Sequence, residues 1–302
     1  MGQVNVLRDA FAFLMGPSLV AILIATLVAL GLPLVLHLYL HHFQSSRAHG
    51  SPTFLLIGPS GSGKTSLLTQ WARGKHVDTH TSQAPLTVEA TLPTAVVAAS
   101  AQFRANDDPN RLAPQRLTLI DTPGHGKLRY HAMDSVKENQ TLRGIIFVVD
   151  AAAMSSTSSE STEEGIRDAA EYLHDVLLLL QKRAAQSKSS KIQEMPVLVA
   201  ANKIDLFTAL PAPLVRTVLE EQITKVRASR AKGLLDSGVG VDDPADALDD
   251  DDQDRLGGAS TGKFEFRQME EAQVSVEVLS GSVVDADGPQ VEAWWAWVAS
   301  HI

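Results

Sequence analysis

The eight residues Gly58-Pro-Ser-Gly-Ser-Gly63-Lys64-Thr65 constrain the fold of this chain more than any others. They match the pattern G-x-x-x-x-G-K-[ST] in full. They lie between a short apolar, β-branched run, Thr53 to Ile57, and a stretch from Lys64 to Arg73 with helical patterning. A strand that turns through glycines into a helix gathers backbone N–H groups and the positive end of a helix dipole at one place, which suits phosphate. The candidate phosphate-contacting residues are therefore Gly58, Pro59, Ser60, Gly61, Ser62, Gly63, Lys64, Thr65 and Ser66. Lys64 is expected to reach the β- and γ-phosphates of a nucleotide, and the Thr65 hydroxyl to ligate Mg²⁺.

The rest of the chain supplies a matching scaffold. Apolar runs recur at Leu117 to Ile120, Ile145 to Val149, Val197 to Ala201 and Val274 to Leu279. Helical patterns lie at Ser161 to Ala185, Pro213 to Ala231 and Val291 to His301. Strands that are almost wholly apolar and alternate with helices predict an α/β fold, a mostly parallel sheet covered on both faces in three layers. In the last helix, Trp294 and Trp297 are one turn apart and are expected in the core, with Trp295 nearer the surface.

Two further motifs select the nucleotide. Asn202-Lys203-Ile204-Asp205 follows the strand Val197 to Ala201 as an N-K-x-D motif. A carboxylate at Asp205 can accept hydrogen bonds from the N1–H and the exocyclic amine of guanine, whereas adenine offers no such pair, so the base is guanine and the nucleotide GTP. Asp121-Thr122-Pro123-Gly124-His125 follows the strand Leu117 to Ile120 as a D-x-x-G element. Asp121 is expected to hold Mg²⁺, generally through water, and the Gly124 N–H to sense the γ-phosphate. All three motifs fall at the carboxyl ends of strands, where open α/β sheets bind ligands. Together they describe a Ras-like P-loop fold.

Weaker elements complete the site. Within Thr79-His-Thr81-Ser82, Thr81 is the choice for the first-switch contact with Mg²⁺ and the γ-phosphate, with Thr79 and Ser82 as alternatives. The metal set read from sequence is thus Thr65, Thr81 and Asp121. Ser282, after the last strand, stands where a guanine-contacting loop is expected. His125 occupies the position of the glutamine that orients water in many Ras-like proteins; imidazole can position water, but slow unaided turnover is expected.

Two segments lie outside this scheme. Ala10 to Leu36 contains no Asp, Glu, Lys, Arg or His, which is ample for the roughly 20 apolar residues that cross a bilayer. It predicts a transmembrane helix at about residues 14–40, within an N-terminal segment of residues 1–43, followed by a linker at 44–52 and the GTPase domain at 53–302. Charge flanking gives no orientation, because Arg8 and Arg47 balance. The chain has no cysteine, which excludes disulfides, thiolate metal sites and lipidation on sulfur. The second segment, Asp236 to Asp254, carries nine aspartates, equal to the whole formal net charge of -9, and is expected, with the glycines to Gly262, to form a disordered acidic insertion.

With an apolar segment ahead of a Ras-like domain, the Thr79-to-Ser82 stretch, Asp121-Thr-Pro-Gly-His125, and a long insertion before Lys263-Phe-Glu-Phe266, the chain resembles the beta-subunit family of the signal recognition particle receptor. The resemblance covers nearly the whole chain. It implies residence in the endoplasmic reticulum membrane with the GTPase domain in the cytosol. It further implies that the GTP-bound form recruits the receptor's alpha subunit and so helps dock ribosomes carrying nascent chains, with no direct contact to nucleic acid. Two other readings stay open at this stage: an Arf- or Sar-like trafficking switch fused to an anchor, and a scaffold in which GTP is a structural ligand with negligible hydrolysis.

Overall fold

The computed structural model describes residues 26–27, 29–33, 51–75, 77–93, 96, 99, 115–139, 141–155, 160–186, 194–237, 256–257, 262–286 and 288–302. The chain divides into two compact units, Met1–Gly50 and Ser51–Ile302. In the first, residues 26–27 and 29–33 are helical; the rest of the apolar run lies outside the described residues. Among the described residues no helix is long and apolar enough to cross a membrane.

The second unit is built on six strands: β1 (Thr53–Ile57), β2 (Leu86–Thr91), β3 (Arg116–Asp121), β4 (Leu142–Asp150), β5 (Met195–Asn202) and β6 (Val274–Ser280). Their order across the sheet is β2-β3-β1-β4-β5-β6, and every pairing is parallel except β2 with β3. Among the described residues, five helices complete it: α1 (Lys64–Arg73), α2 (Tyr130–Glu138), α3 (Glu160–Gln186), α4 (Ala212–Ser237) and α5 (Glu292–Ser300). Short 3₁₀ turns occupy Gly126–Leu128 and Phe266–Ala272.

The period of two along each strand divides the interior into two cores. Leu55 and Ile57 of β1, with Phe147 of β4 and Val199 of β5, face one core closed by α2, α3 and α4. Phe54 and Leu56, with Val148 and Leu198, face the other, closed by α1 and α5. Both faces of β1, β4 and β5 are therefore buried, which is why these strands read as unbroken apolar runs.

Three sequence expectations change. β2 and α2 were not anticipated: β2 is an edge strand in which Ala90 alone is buried, and α2 buries just Ala132 and Val136. Trp295, expected nearer the surface than the other two, is the most exposed of the three but still buried, at 7%, because Trp71 at the end of α1 stacks on it with ring centroids 4.2 Å apart. Trp294 and Trp297 are buried as expected.

The acidic segment also differs at its ends. Asp236 and Ser237 continue α4, and Leu256 is fully buried in the core beneath α3 and α4. The Gly257 N–H donates to Gln181 Oε1 at 2.9 Å. Phe264 and Phe266 are buried beside Leu256, and their N–H groups donate to Thr224 Oγ1 and Glu220 Oε1 of α4, each at 2.9 Å. Composition could not locate that one leucine. Residues 238–255 lie outside the described residues.

Candidate functional site

The carboxyl ends of β1, β3, β4, β5 and β6 share one edge, and the three motifs meet there. Gly63 caps α1 in the left-handed region, with φ 97°. A side-chain carbon at Gly63 would lie 2.3 Å from the amide nitrogen of Asn202, so this position requires glycine for both backbone and space.

Lys64 is 6% exposed, and its Nζ donates to the carbonyls of Gly58 and Pro59, each at 2.8 Å. Burial lowers its pKa to about 8; the charge of Asp121 opposes that shift and the charge of Arg129 adds to it. Asp121 is fully buried, and burial raises its pKa against the hydrogen bonds from Thr65 and Ser82 and the attraction of Lys64.

Thr65 Oγ1 donates to Asp121 Oδ2 at 2.6 Å, Ser82 Oγ donates to the same oxygen at 3.1 Å, and the two hydroxyls are 2.8 Å apart. Among the described residues, neither Asp121 Oδ1 nor Ser62 Oγ, both buried, has a hydrogen-bond partner. A cluster of hard oxygen donors with an uncompensated carboxylate oxygen fits Mg²⁺. Of the Thr79-to-Ser82 stretch, in which Thr81 was the choice and Thr79 and Ser82 the alternatives, Ser82 is the residue whose hydroxyl reaches Thr65 and Asp121. Thr81 is exposed, and Thr79 Oγ1 lies 3.0 Å from Ser66 Oγ. Spacing brings the Thr/Ser stretch to the site but does not fix which hydroxyl of an irregular loop turns inward.

On the second-switch side, the Thr122 hydroxyl donates to the carbonyl of Leu56 at 2.8 Å and holds the segment to β1. Gly124 lies directly on the phosphate loop: a side-chain carbon there would come within 2.6 Å of backbone atoms of Gly58, Pro59 and Ser60. His125 is exposed, and its Nδ1 accepts the N–H of Lys127, which caps the 3₁₀ turn. A cleft of about 390 Å³ opens between Ser60, His125 and the start of α3, with Asp168 and Ile166 on its far wall.

The base side is held by Asn202, which is buried and bridges two loops. Its Nδ2 donates to the Ser62 carbonyl at 2.8 Å, and its Oδ1 accepts the Val283 N–H at 3.2 Å. Lys203 adopts φ 68°, and its Nζ pairs with Asp150 Oδ2 at 2.5 Å. Asp205 is exposed, with Ser282 Oγ 2.5 Å from its Oδ1 and 2.8 Å from the Val284 carbonyl. Ser282 is fully buried, so it holds the exposed carboxylate from the protein side. Sequence reasoning missed Asp150, whose position at the end of β4 opposite Asn202 in the β4–β5 pairing was its available signal.

The family model described as the signal recognition particle receptor beta subunit matches residues 49–274. The signal recognition particle receptor subunit beta of Saccharomyces cerevisiae is 30% identical over 250 residues, 82% of this chain and 83% of that protein. The Mus musculus protein of the same name is 29% identical over 290 residues, 94% of this chain and 88% of that one. Among solved structures, the SRb-GTP/SRX complex from Chaetomium thermophilum aligns with a TM-score of 0.63 and 32% identity, over 83% of this chain and 100% of that one. The SRb-GDP-Mg structure from the same organism aligns with a TM-score of 0.58 and 34% identity, over 83% of this chain and 98% of that one.

Proposed function

The chain belongs to the signal recognition particle receptor beta-subunit family, and from that premise we propose that it is the membrane-anchored, GTP-binding subunit of such a receptor. In its GTP state it recruits the alpha subunit for co-translational targeting to the endoplasmic reticulum. The observation that carries this reading is the meeting of the three motifs at one sheet edge: Lys64 buried beside the oxygens of Thr65, Ser82 and Asp121, with Asp205 presented across the phosphate loop.

Each residue then has a physical task. Lys64 exchanges its bonds to the Gly58 and Pro59 carbonyls for the β- and γ-phosphates, and the charge of the triphosphate offsets its desolvation. Thr65, Ser82 and Asp121 would hold Mg²⁺, which supplies neutralisation of phosphate charge. Asp205 accepts from the guanine N1–H and amine while Ser282 fixes its rotamer. Gly124 brings its segment close enough to the phosphate loop to register a third phosphate. Support for slow unaided turnover comes from His125, one of whose ring nitrogens is engaged by the Lys127 N–H. The Chaetomium relatives, described as SRb with GTP and SRX and as SRb with GDP and Mg, support the choice of ligand and of a receptor partner.

The anchor is proposed from the apolar run Ala10 to Leu36 and from the family. GTP is a cytosolic ligand, so the domain after the run faces the cytosol. The test is two-part. Alpha subunit captured from detergent extract should be retained with GTP and released with GDP. Protease added to intact microsomes should digest the domain and spare a short N-terminal fragment. Equal capture with both nucleotides would leave an anchored scaffold, and protection of the domain would overturn the orientation.

A further inference from the structure

Arg129 is the residue in the second-switch segment that the sequence motifs do not account for. It follows the 3₁₀ turn Gly126–Leu128, which His125 caps, and it opens α2, where its carbonyl accepts the N–H groups of Ala132 and Met133. Its side chain turns away from α2 and reaches α3. The guanidinium donates to Asp168 Oδ2 at 2.5 Å and lies 4.3 Å above the centre of the Tyr172 ring. Tyr172 is fully buried and is itself fixed edge-on to Phe147 of β4, with centroids 5.6 Å apart. A flat cation held by a carboxylate at its edge and an aromatic ring on its face has little freedom left.

The two ends of the switch turn are therefore tied to different bodies. Its start is tied to the sheet and the phosphate loop, through the Thr122 hydroxyl on Leu56 and the close approach of Gly124. Its end is tied to α3, through Arg129. Asp168 also lines the cleft that His125 lines, so the pair stands beside the space in front of the phosphate loop. The charge of Arg129 is felt at Lys64, which places both within one electrostatic neighbourhood.

We propose that Arg129 is a positioning residue of the nucleotide switch: clamped on Asp168 and Tyr172, it sets the turn carrying Gly124 and His125 so that triphosphate is distinguished from diphosphate. The proposal rests on the reading of Gly124 as the residue that registers the γ-phosphate. Breaking the clamp frees the end of the turn, and the cost falls on the state in which the turn must be ordered, the GTP state. The diphosphate, which asks nothing of that turn, is bound as before.

The experiment measures affinity for GTP and for GDP, with Mg²⁺, in the full-length protein and in Arg129→Gln, Asp168→Asn, the double variant and Arg129→Lys. Expected are a fall of about tenfold in GTP affinity with GDP affinity unchanged in each neutral variant, a coupling of the size typical between linked sites. The double variant should lose no more than either single one, and Arg129→Lys should recover much of the loss. Equal falls for GTP and GDP, together with a lower melting temperature, would show that Arg129 only holds the fold, and an unchanged GTP-to-GDP ratio would overturn the clamp. Gly124→Ala separates this from the underlying reading. If it abolishes the preference for GTP while the Arg129 and Asp168 variants keep it, the clamp alone fails; if Gly124→Ala also keeps the preference, the γ-phosphate reading fails with it.

Discussion

Asn202→Ala separates two roles that motif reading merges. In an N-K-x-D motif the asparagine is readily taken as a nucleotide contact, but here its side chain is spent inside the protein, on the Ser62 carbonyl and the Val283 N–H. Both bonds are buried, so the alanine variant strands one acceptor and one donor, and each stranded group costs about 1–3 kcal/mol. The sum is about 2–6 kcal/mol. For a domain of this size each kcal/mol moves the melting temperature by about 2–4 °C, so the nucleotide-free protein should melt at least about 4 °C lower. The Ser62 and Val283 loops flank the phosphate and base positions, so nucleotide affinity falls as well, but as a consequence of looseness. The assay is thermal unfolding of nucleotide-free protein by circular dichroism, beside titration with GTP. A variant that loses GTP affinity while the empty protein melts as wild type does would refute the argument, because Asn202 would then act on the ligand.

Three further expectations follow from the same geometry. Asp205→Asn should weaken GTP binding by at least about 100-fold, since two charge-assisted bonds go, and should favour xanthosine triphosphate, whose ring face suits an amide; equal affinity of the wild type for ATP and GTP would remove the basis for this. Lys64 has a pKa of about 8 when buried against an ordinary 10.5, so the unfolded chain binds more protons between those values and stability of the empty protein rises with pH across that window. The rise attributable to Lys64 is about 3 kcal/mol, and it should be missing in Lys64→Met when urea unfolding is compared at pH 7.5 and pH 10. Leu256→Ala should cost about 2–5 kcal/mol of stability, whereas deletion of residues 238–250 should leave the melting temperature and GTP affinity unchanged, read by calorimetry and nucleotide titration.

What the sequence could reveal depended on whether a residue's task is set locally. β1, β4 and β5 are buried on both faces and so announce themselves as apolar runs, and α1 was bounded correctly because the phosphate loop fixes its start. β2 lies at an edge, buries only Ala90 and carries little apolar signal. In the site, the motif residues were legible because phosphate and guanine demand particular groups at particular spacings. The inward turn of Ser82 in place of Thr81, the pairing of Lys203 with Asp150 and the grip of Arg129 on α3 each depend on a partner far along the chain. The burial of Trp295 was missed for the same reason: a helical wheel ranks the faces, and only the fold brings Trp71 to cover this one.

The stack of Trp71 on Trp295 has a mechanical consequence. Helix α1 starts at the phosphate loop and is bolted at its other end to the last helix of the domain, which is itself fastened to the sheet by the Trp294 Nε1–H on the Leu279 carbonyl. A shift of the phosphate loop along the axis of α1 has to carry α5 with it. On the opposite side, the first-switch segment is attached at Thr79 and Ser82 by hydroxyl contacts to Ser66, Thr65 and Asp121. A displacement of that segment has only side-chain hydroxyl contacts to break, whereas one of the phosphate loop along its helix has an aromatic stack to carry with it.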